Sequence, residues 1–262
     1  MPDPARAVIV TGASSGIGAA CARTLAAGGY QVILLGRSAE RLAAVRASLA
    51  QADGAPPHHE VICDVSDPAE VTYAAQAIEE LVGAPFGLVN SAGICIPAAL
   101  GSLSYQNWLE TINVNLTGTF LVSQAIALLM LRAGTAGTPR SIVNIGSEAS
   151  LIGMPGYVAY CASKAGLTGL TKSMAAELAP NIRVNLLCPG PVDTPMLRAE
   201  MALSGDFEQA WAQETARVPL QRIGTAAETA AAAVWLLSAA SFATGTIMSL
   251  DGGTTVAGYA SA

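Results

Sequence analysis

At 262 residues the chain is long enough to bury a sizeable core as one large α/β domain. It is 52% hydrophobic and 12% charged with a formal net charge of −6, which argues against nucleic acid as a partner, because phosphate binding needs clustered Lys and Arg. No run approaches the ~18 uninterrupted apolar residues of a membrane-spanning helix, so the apolar excess predicts burial between subunits and no membrane partner.

The hydrophobic pattern alternates short β-branched runs with longer helical stretches. In chain order it predicts a strand at Ala7–Thr11, a helix at Gly16–Ala27, a strand at Gln31–Leu35 and a helix at Ala39–Gln51. A strand at Val61–Asp64, a helix at Pro68–Val82 and a strand at Phe86–Asn90 follow, then a long helix from Gln106 to Leu131 and a loop at Gly134–Pro139. Next come a strand at Ser141–Ile145, a second long helix at Tyr157–Leu178 and a strand at Arg183–Leu187. Two helical pieces, Met196–Ala202 and Phe207–Thr215, precede a helix at Ala227–Leu237 and a last strand at Thr246–Leu250. This alternation predicts a single doubly wound, Rossmann-type domain over residues 1–262, with about seven parallel strands and helices on both faces. Residues 194–217 break the rhythm and form the candidate mobile lid.

Met1-Pro2-Asp3-Pro4 enters the first strand without a basic and then apolar leader, so no secretory signal is expected. The five cysteines, Cys21, Cys63, Cys95, Cys161 and Cys188, are scattered and odd in number, as for free thiols in a reducing cytoplasm. His58 and His59 are adjacent and lack partners at ligand spacing, so no metal site is expected.

Thr11-Gly12-Ala13-Ser14-Ser15-Gly16-Ile17-Gly18 joins the first strand to the first helix. Glycines permit a tight turn and close approach to a pyrophosphate, and the helix start offers unpaired N–H groups and a positive dipole end. An NAD site places Asp or Glu about 20 residues after the glycines, to hold the ribose hydroxyls. Here that place is Gly36, followed by Arg37 and Ser38. A guanidinium suits a 2′-phosphate, so the expected cofactor is NADP(H) in preference to NAD(H). Asp64, with Val65 beside it, either accepts a bond from the adenine amino group or caps the following turn. Asn90-Ser91-Ala92-Gly93 ends the fourth strand in small residues that leave room for a flat ring and ribose.

Tyr160 is followed one helical turn later by Lys164, and Ser147 stands thirteen positions upstream. A phenol is a poor base at neutral pH, with an ordinary pKa of about 10. An ammonium on the same helix face favours phenolate. The phenol can then move a proton to or from a substrate oxygen that the Ser147 hydroxyl orients.

Taken together, these residues resemble the classical short-chain dehydrogenase/reductase family over about residues 5 to 255. The matching pieces are Thr11–Gly18, Asn90–Gly93, Asn115 in Asn-Leu-Thr-Gly, Ser147, Tyr160-x-x-x-Lys164, Pro189-Gly190 with Thr194, and Asp251-Gly252-Gly253. Ser91 departs from the family's usual Asn. The resemblance implies an oxidoreductase of carbonyl groups and secondary alcohols, with Tyr160 as acid and base. Lys164 would bind the nicotinamide ribose, and Asn115 would bend its helix and hold a water linked to Lys164. Val192 and Thr194, after Pro189 and Gly190, would fix the carboxamide.

The family's substrate walls fall here on Ile94, Cys95, Ile96, Ser147, Glu148, Leu151, Met154, Tyr157, Met196, Leu197 and Met201, which suit a small, largely apolar ketone or alcohol. Glu148 is the polar exception, and it is expected to face solvent or cap a turn rather than meet a polar substrate group. Two alternatives stay open: a 3-ketoacyl-thioester reductase, disfavoured by the net charge and by Glu177-Leu178-Ala179-Pro180-Asn181 without a basic residue, though Arg132 and Lys172 remain as contacts for an acidic carrier, and a catalytically silent dinucleotide-binding sensor. Apolar residues nearly all round the two long helices, with the Asp251–Gly258 segment, imply a homotetramer, with a dimer as fallback.

Overall fold

The computed structural model describes residues 6–132 and 139–257. The expected loop at Gly134–Pro139 lies, apart from Pro139, outside them. In chain order the elements are β1 (Ala7–Thr11), α1 (Gly16–Ala27), β2 (Gln31–Gly36), α2 (Ala39–Ala47), β3 (His59–Ile62), α3 (Pro68–Val82) and β4 (Gly87–Asn90). They continue with α4 (Tyr105–Ile112), a π-helical turn at Asn113–Thr117, α5 (Gly118–Arg132), β5 (Arg140–Ile145) and a 3₁₀ turn at Glu148–Ser150. Then come α6 (Val158–Leu178), β6 (Ile182–Pro189), β7 (Val192–Asp193), α7 (Pro195–Ala202) and α8 (Phe207–Arg217). The last are β8 (Gly224–Thr225), α9 (Ala226–Ser238), β9 (Ile247–Leu250) and α10 (Thr254–Ala257).

The main sheet has seven parallel strands in the order β3-β2-β1-β4-β5-β6-β9. All five side chains of β1 are buried, as expected of a strand covered on both faces. Val8 and Val10 enter a core with α1, α2 and α9, whereas Ala7 and Ile9 enter one with α3 and α5. Ile9 lies opposite Ile33 of β2 and Leu88 of β4. Strand order reverses at this point, because β2 and β3 extend to one side of β1 and β4 opens the other. The strand ends splay there, and a crevice forms beyond their carboxyl termini.

Several boundaries differ from those read in sequence. Helix α2 stops at Ala47, where the Ser48 hydroxyl bonds back to the Val45 carbonyl. Strand β3 runs from His59 because its register places His59 opposite Ile33 and Ile62 opposite Gly36. Asp64 leaves the ladder for a turn. β6 is longer than its apolar run, since β9 pairs with it as far as Pro189. The short β7–β8 ribbon ties the two ends of the lid region together and was not expected.

The helical stretch Tyr105–Arg132 is long and apolar enough by composition to cross a membrane, but half of its apolar window is buried in the protein. His58 is structural. Its Nδ1 accepts from the Val32 N–H and its Nε2 bonds the Ala50 carbonyl, which fixes the proton on Nε2. All five cysteines are free thiols, and burial pushes those of Cys21, Cys63 and Cys95 up to about 12.

Candidate active site

The crevice at the sheet's switch point holds a cavity of about 270 Å³. Gly12, Ser14, Ser15, Gly16, Ile17 and Gly18 form one wall. Gly12 has φ +64°, and a Cβ there would lie 2.8 Å from the Ala92 backbone. A Cβ on Gly18 would stand 2.4 Å from the Gly12 carbonyl oxygen. These two positions accept only hydrogen, so the turn is drawn tightly against β4. Thr11 completes that junction by accepting from the N–H groups of both Ser91 and Ala92, each at 3.0 Å. Ser15 makes no side-chain cap to α1, so the first N–H groups of that helix are left for another acceptor. The donors, the room above the glycines and the open helix start fit a dinucleotide pyrophosphate.

The adenosine end is more charged than the sequence indicated. Arg37 lines it, and so does Arg41, from the first turn of α2. Arg41 was missed, although its spacing of four from Arg37 was a readable signal. Ser38 was expected to touch cofactor but instead caps α2, its hydroxyl accepting from the Arg41 N–H. Gly36 supplies no carboxylate, but Asp64 does: its Oδ2 lies 3.7 Å from Arg37. Burial alone would raise the Asp64 pKa. Bonds from the Ser66 hydroxyl and N–H, with the Arg37 charge, outweigh it and hold the carboxyl below its ordinary range. Asp64 Oδ1 is thus committed to its own turn. Val65 lines the cavity beside it.

Along β4, Ala92 and Gly93 line the cavity but the Asn90 side chain does not. Asn90 is buried, and its amide donates to Ser123 Oγ at 2.8 Å and Asn144 Oδ1 at 2.9 Å. Its role is to hold β4 to α5 and β5. Pro189, Gly190 and Val192 stand one cavity further on, while Thr194 borders both.

A second cavity of about 120 Å³ adjoins the first, and Tyr160 belongs to the walls of both. Ser147 lies between β5 and the 3₁₀ turn, where its hydroxyl accepts from the Ala149 N–H. It also hydrogen-bonds the Tyr160 phenol. Burial raises the Tyr160 pKa above its ordinary value. Lys164 is also buried, and its pKa falls to about 8 because desolvation disfavours the ammonium. Its Nζ donates to the Ile145 carbonyl at 2.9 Å and lies 5.7 Å from the Tyr160 ring centroid. The expectation that Lys164 lowers the phenol pKa is therefore not met in this arrangement, since the ammonium is turned onto the backbone of β5.

Asn115 sits in the π-helical turn, so the helix does deviate at this residue. Its amide is fully used on protein partners. Oδ1 accepts from the Ile94 N–H, and Nδ2 donates to the Ile94 carbonyl and to Ser163 Oγ. Its own carbonyl accepts from the Thr119 hydroxyl.

Of the expected substrate walls, Cys95, Ser147, Glu148, Met154, Tyr157, Met196 and Leu197 do line the second cavity. Ile94 lines the larger one. Ile96 lines neither, because the chain after Cys95 departs to pair Ala98 with Gly156 and Tyr157. Leu151 faces outward and Met201 is packed inside the lid. Glu148 corrects the sequence reading most sharply: it neither faces solvent nor caps a turn. It is 4% exposed and forms a two-point ion pair with Arg217, which also pairs with Glu214. Glu200 and Glu214 border the same cavity and were not anticipated, since they arrive from α7 and α8, far away in sequence.

The family model described as "Enoyl-(Acyl carrier protein) reductase" matches residues 12–255. The D-threitol dehydrogenase of Mycolicibacterium smegmatis is 39% identical over 253 residues, covering 96% of this chain and 93% of that protein. The 3-oxoacyl-[acyl-carrier-protein] reductase of Aquifex aeolicus is 38% identical over 94% of this chain and 95% of its own. The crystal structure of an actinorhodin polyketide ketoreductase with NADPH superposes with a TM-score of 0.89 at 33% identity, covering 97% of this chain and 99% of that one. With this coverage and identity, the chain is an oxidoreductase of the short-chain dehydrogenase/reductase family.

Proposed function

We propose that the protein transfers a hydride between NADP(H) and a carbonyl or secondary alcohol of a small substrate with a substantial apolar part. The observation that carries this reading is Tyr160: its phenol belongs to the walls of both cavities and is held by Ser147. The dinucleotide supplies the hydride to the carbonyl carbon in reduction, or accepts it in oxidation. The chain's own residues handle the oxygen and its proton. Ser147 donates to the substrate oxygen and fixes it beside Tyr160, and the phenol gives its proton to that oxygen in reduction or takes one in oxidation. Lys164 releases the Ile145 carbonyl to hold the ribose. Asn115 keeps the loop at Ile94 seated over the site.

Preference for NADP(H) is supported by two guanidiniums, Arg37 and Arg41, against the single carboxylate of Asp64. We further infer a cytoplasmic homotetramer. Phe120, Leu128 and Leu131 stay exposed on α5, as do Trp235, Phe242 and Val256 toward the C-terminus, and burial between subunits would remove them from water. Reduction of a 3-ketoacyl thioester is the second reading, favoured by the relation to the Aquifex aeolicus reductase.

The test is turnover with NADPH and NADH over ketones, diketones and ketoacyl thioesters, with Tyr160→Phe alongside. NADPH-linked turnover that this variant loses supports the reading. Tight dinucleotide binding without turnover in either direction would favour a silent sensor.

A further inference from the structure

The second cavity carries an unusual charge arrangement directly beside the reacting hydroxyls. Behind its wall Arg217, on the last turn of α8, ties together two of the carboxylates that line it, Glu148 and Glu214. Nη1 and Nη2 of that guanidinium donate to the Glu148 carboxylate at 3.1 and 2.6 Å. Nε and Nη2 also donate to Glu214, at 3.2 and 2.5 Å. The fork is thus engaged by protein carboxylates on both edges, which leaves it ill-placed to receive a carboxylate, phosphate or sulfonate from a substrate. Two carboxylates against one guanidinium leave one negative charge in excess, before Glu200 is counted.

Glu200, from α7, lines the same cavity. Its Oε1 accepts from the Tyr157 hydroxyl, and its carboxyl also bonds the Cys95 thiol. A carboxyl group has about four acceptor positions, so two partners leave acceptor capacity on this cavity-lining group. Burial raises the pKa of Glu200. Glu200 and Glu148 line the same cavity as Ser147 and Tyr160. Apolar area from Met154, Met196 and Leu197 surrounds this group of acceptors.

We infer that the substrate is uncharged and bears a second hydroxyl group near the reacting carbon, as a vicinal diol does in one direction and an α-hydroxyketone in the other. Glu200 accepts that second hydroxyl, and the Glu148–Arg217–Glu214 cluster repels anions. Removing a hydrogen-bond donor from a ligand whose acceptor is buried leaves that acceptor unpaired, which is how such a site discriminates. The inference rests on the proposed oxidoreductase activity and narrows it.

Three compounds of equal carbon number separate the terms: butane-2,3-diol, butan-2-ol and 3-hydroxybutyrate, each oxidised with NADP. The diol is expected to exceed butan-2-ol in kcat/KM by about tenfold or more, with 3-hydroxybutyrate lowest. In Glu200→Leu, which removes the acceptor, the diol-to-butanol ratio should fall toward one. In the Glu148→Gln, Glu214→Gln double variant, which frees Arg217, 3-hydroxybutyrate should rise relative to butan-2-ol. Equal kcat/KM for diol and butanol, a diol preference untouched in Glu200→Leu, or a wild-type preference for 3-hydroxybutyrate would each overturn the inference. The same ranking is to be read from thermal shifts of the NADP-loaded Tyr160→Phe protein. A diol that stabilises it no more than butan-2-ol overturns the inference even if none of the three is turned over. Failure of the proposed activity would look different: dinucleotide binding without turnover of any ketone, thioester or alcohol in either direction.

Discussion

Asn115 holds Ile94 at two points: its side-chain oxygen accepts from the Ile94 N–H at 2.8 Å, and its amide nitrogen donates to the Ile94 carbonyl at 2.9 Å. A side chain thereby serves a loop residue as a neighbouring strand would, and it pins the segment after Gly93 between the two cavities. The same amide reaches Ser163, next to Lys164, so a single residue couples the loop to the helix that bears the phenol and ammonium.

Replacing Asn115 by Ala leaves two Ile94 backbone groups without partners in a largely buried place. A cost of about 2–3 kcal/mol in unfolding free energy is expected, read from urea denaturation. Turnover should fall further than stability alone accounts for, since the loop loses its anchor. A variant with wild-type stability and wild-type kcat would show that the two-point contact has no such role.

Tyr160→Phe removes one oxygen from a half-buried ring and leaves its packing intact. Turnover should drop by about 100- to 10,000-fold, the usual range for a lost general acid or base. Dinucleotide affinity, measured by fluorescence titration, should change little.

Lys164 ties dinucleotide binding to pH. Burial lowers its pKa to about 8 from 10.5, so in the free protein the ammonium is lost as pH rises through about 8. A ribose held by that ammonium favours the protonated form, so binding near pH 8 should take up a proton. Calorimetry in two buffers of different ionisation enthalpy reads this uptake, and Lys164→Met should remove it. For stability the sign is the reverse. The folded pKa lies below the unfolded value, so the unfolded chain binds more protons between about 8 and 10.5. This group's contribution therefore rises with pH across that window and is least favourable below it.

Arg37 and Arg41 should discriminate between the two nicotinamide cofactors. Arg37→Ala and Arg41→Ala are each expected to weaken NADPH binding by about tenfold, the loss of roughly one charge-assisted contact of about 1.4 kcal/mol. NADH affinity should stay nearly constant or improve. Equal losses for both cofactors would remove the basis for an NADP(H) preference.

Arg183 lies far from the site and offers a test of the fold. Its guanidinium donates to the carbonyls of Leu236, Leu237, Ala240 and Ala243 at the end of α9. The Leu236 and Leu237 carbonyls belong to the last turn of α9, where a helix C-terminus favours a cation, while Ala240 also accepts from the Ala243 N–H and Ala243 from the Asn185 amide. Arg183→Met should cost about 3–5 kcal/mol, as for breaking a buried charged contact on one side, with little effect on cofactor affinity per folded molecule.

The alternation of β-branched runs and helices, the glycine turn and the Tyr160–Lys164 spacing were legible because each is local: periodicity and short-range spacing set them without reference to distant residues. The same holds for Ser147 and for the parallel sheet that the alternation demands. What the chain order does not contain is which distant side chain arrives beside which. Glu148 looked like a solvent-facing or turn-capping residue because Arg217 stands 69 positions away and reaches it only when α8 folds over the 3₁₀ turn. Asp64 gained a cation, Asn90 turned inward and Lys164 swung onto Ile145 for the same reason. Local sequence determined the scaffold and marked the groups proposed to react. The charge, burial and partners of those groups are properties of contacts across the fold, and only the tertiary structure decided them, because electrostatic and desolvation energies depend on distance in space and not on separation along the chain.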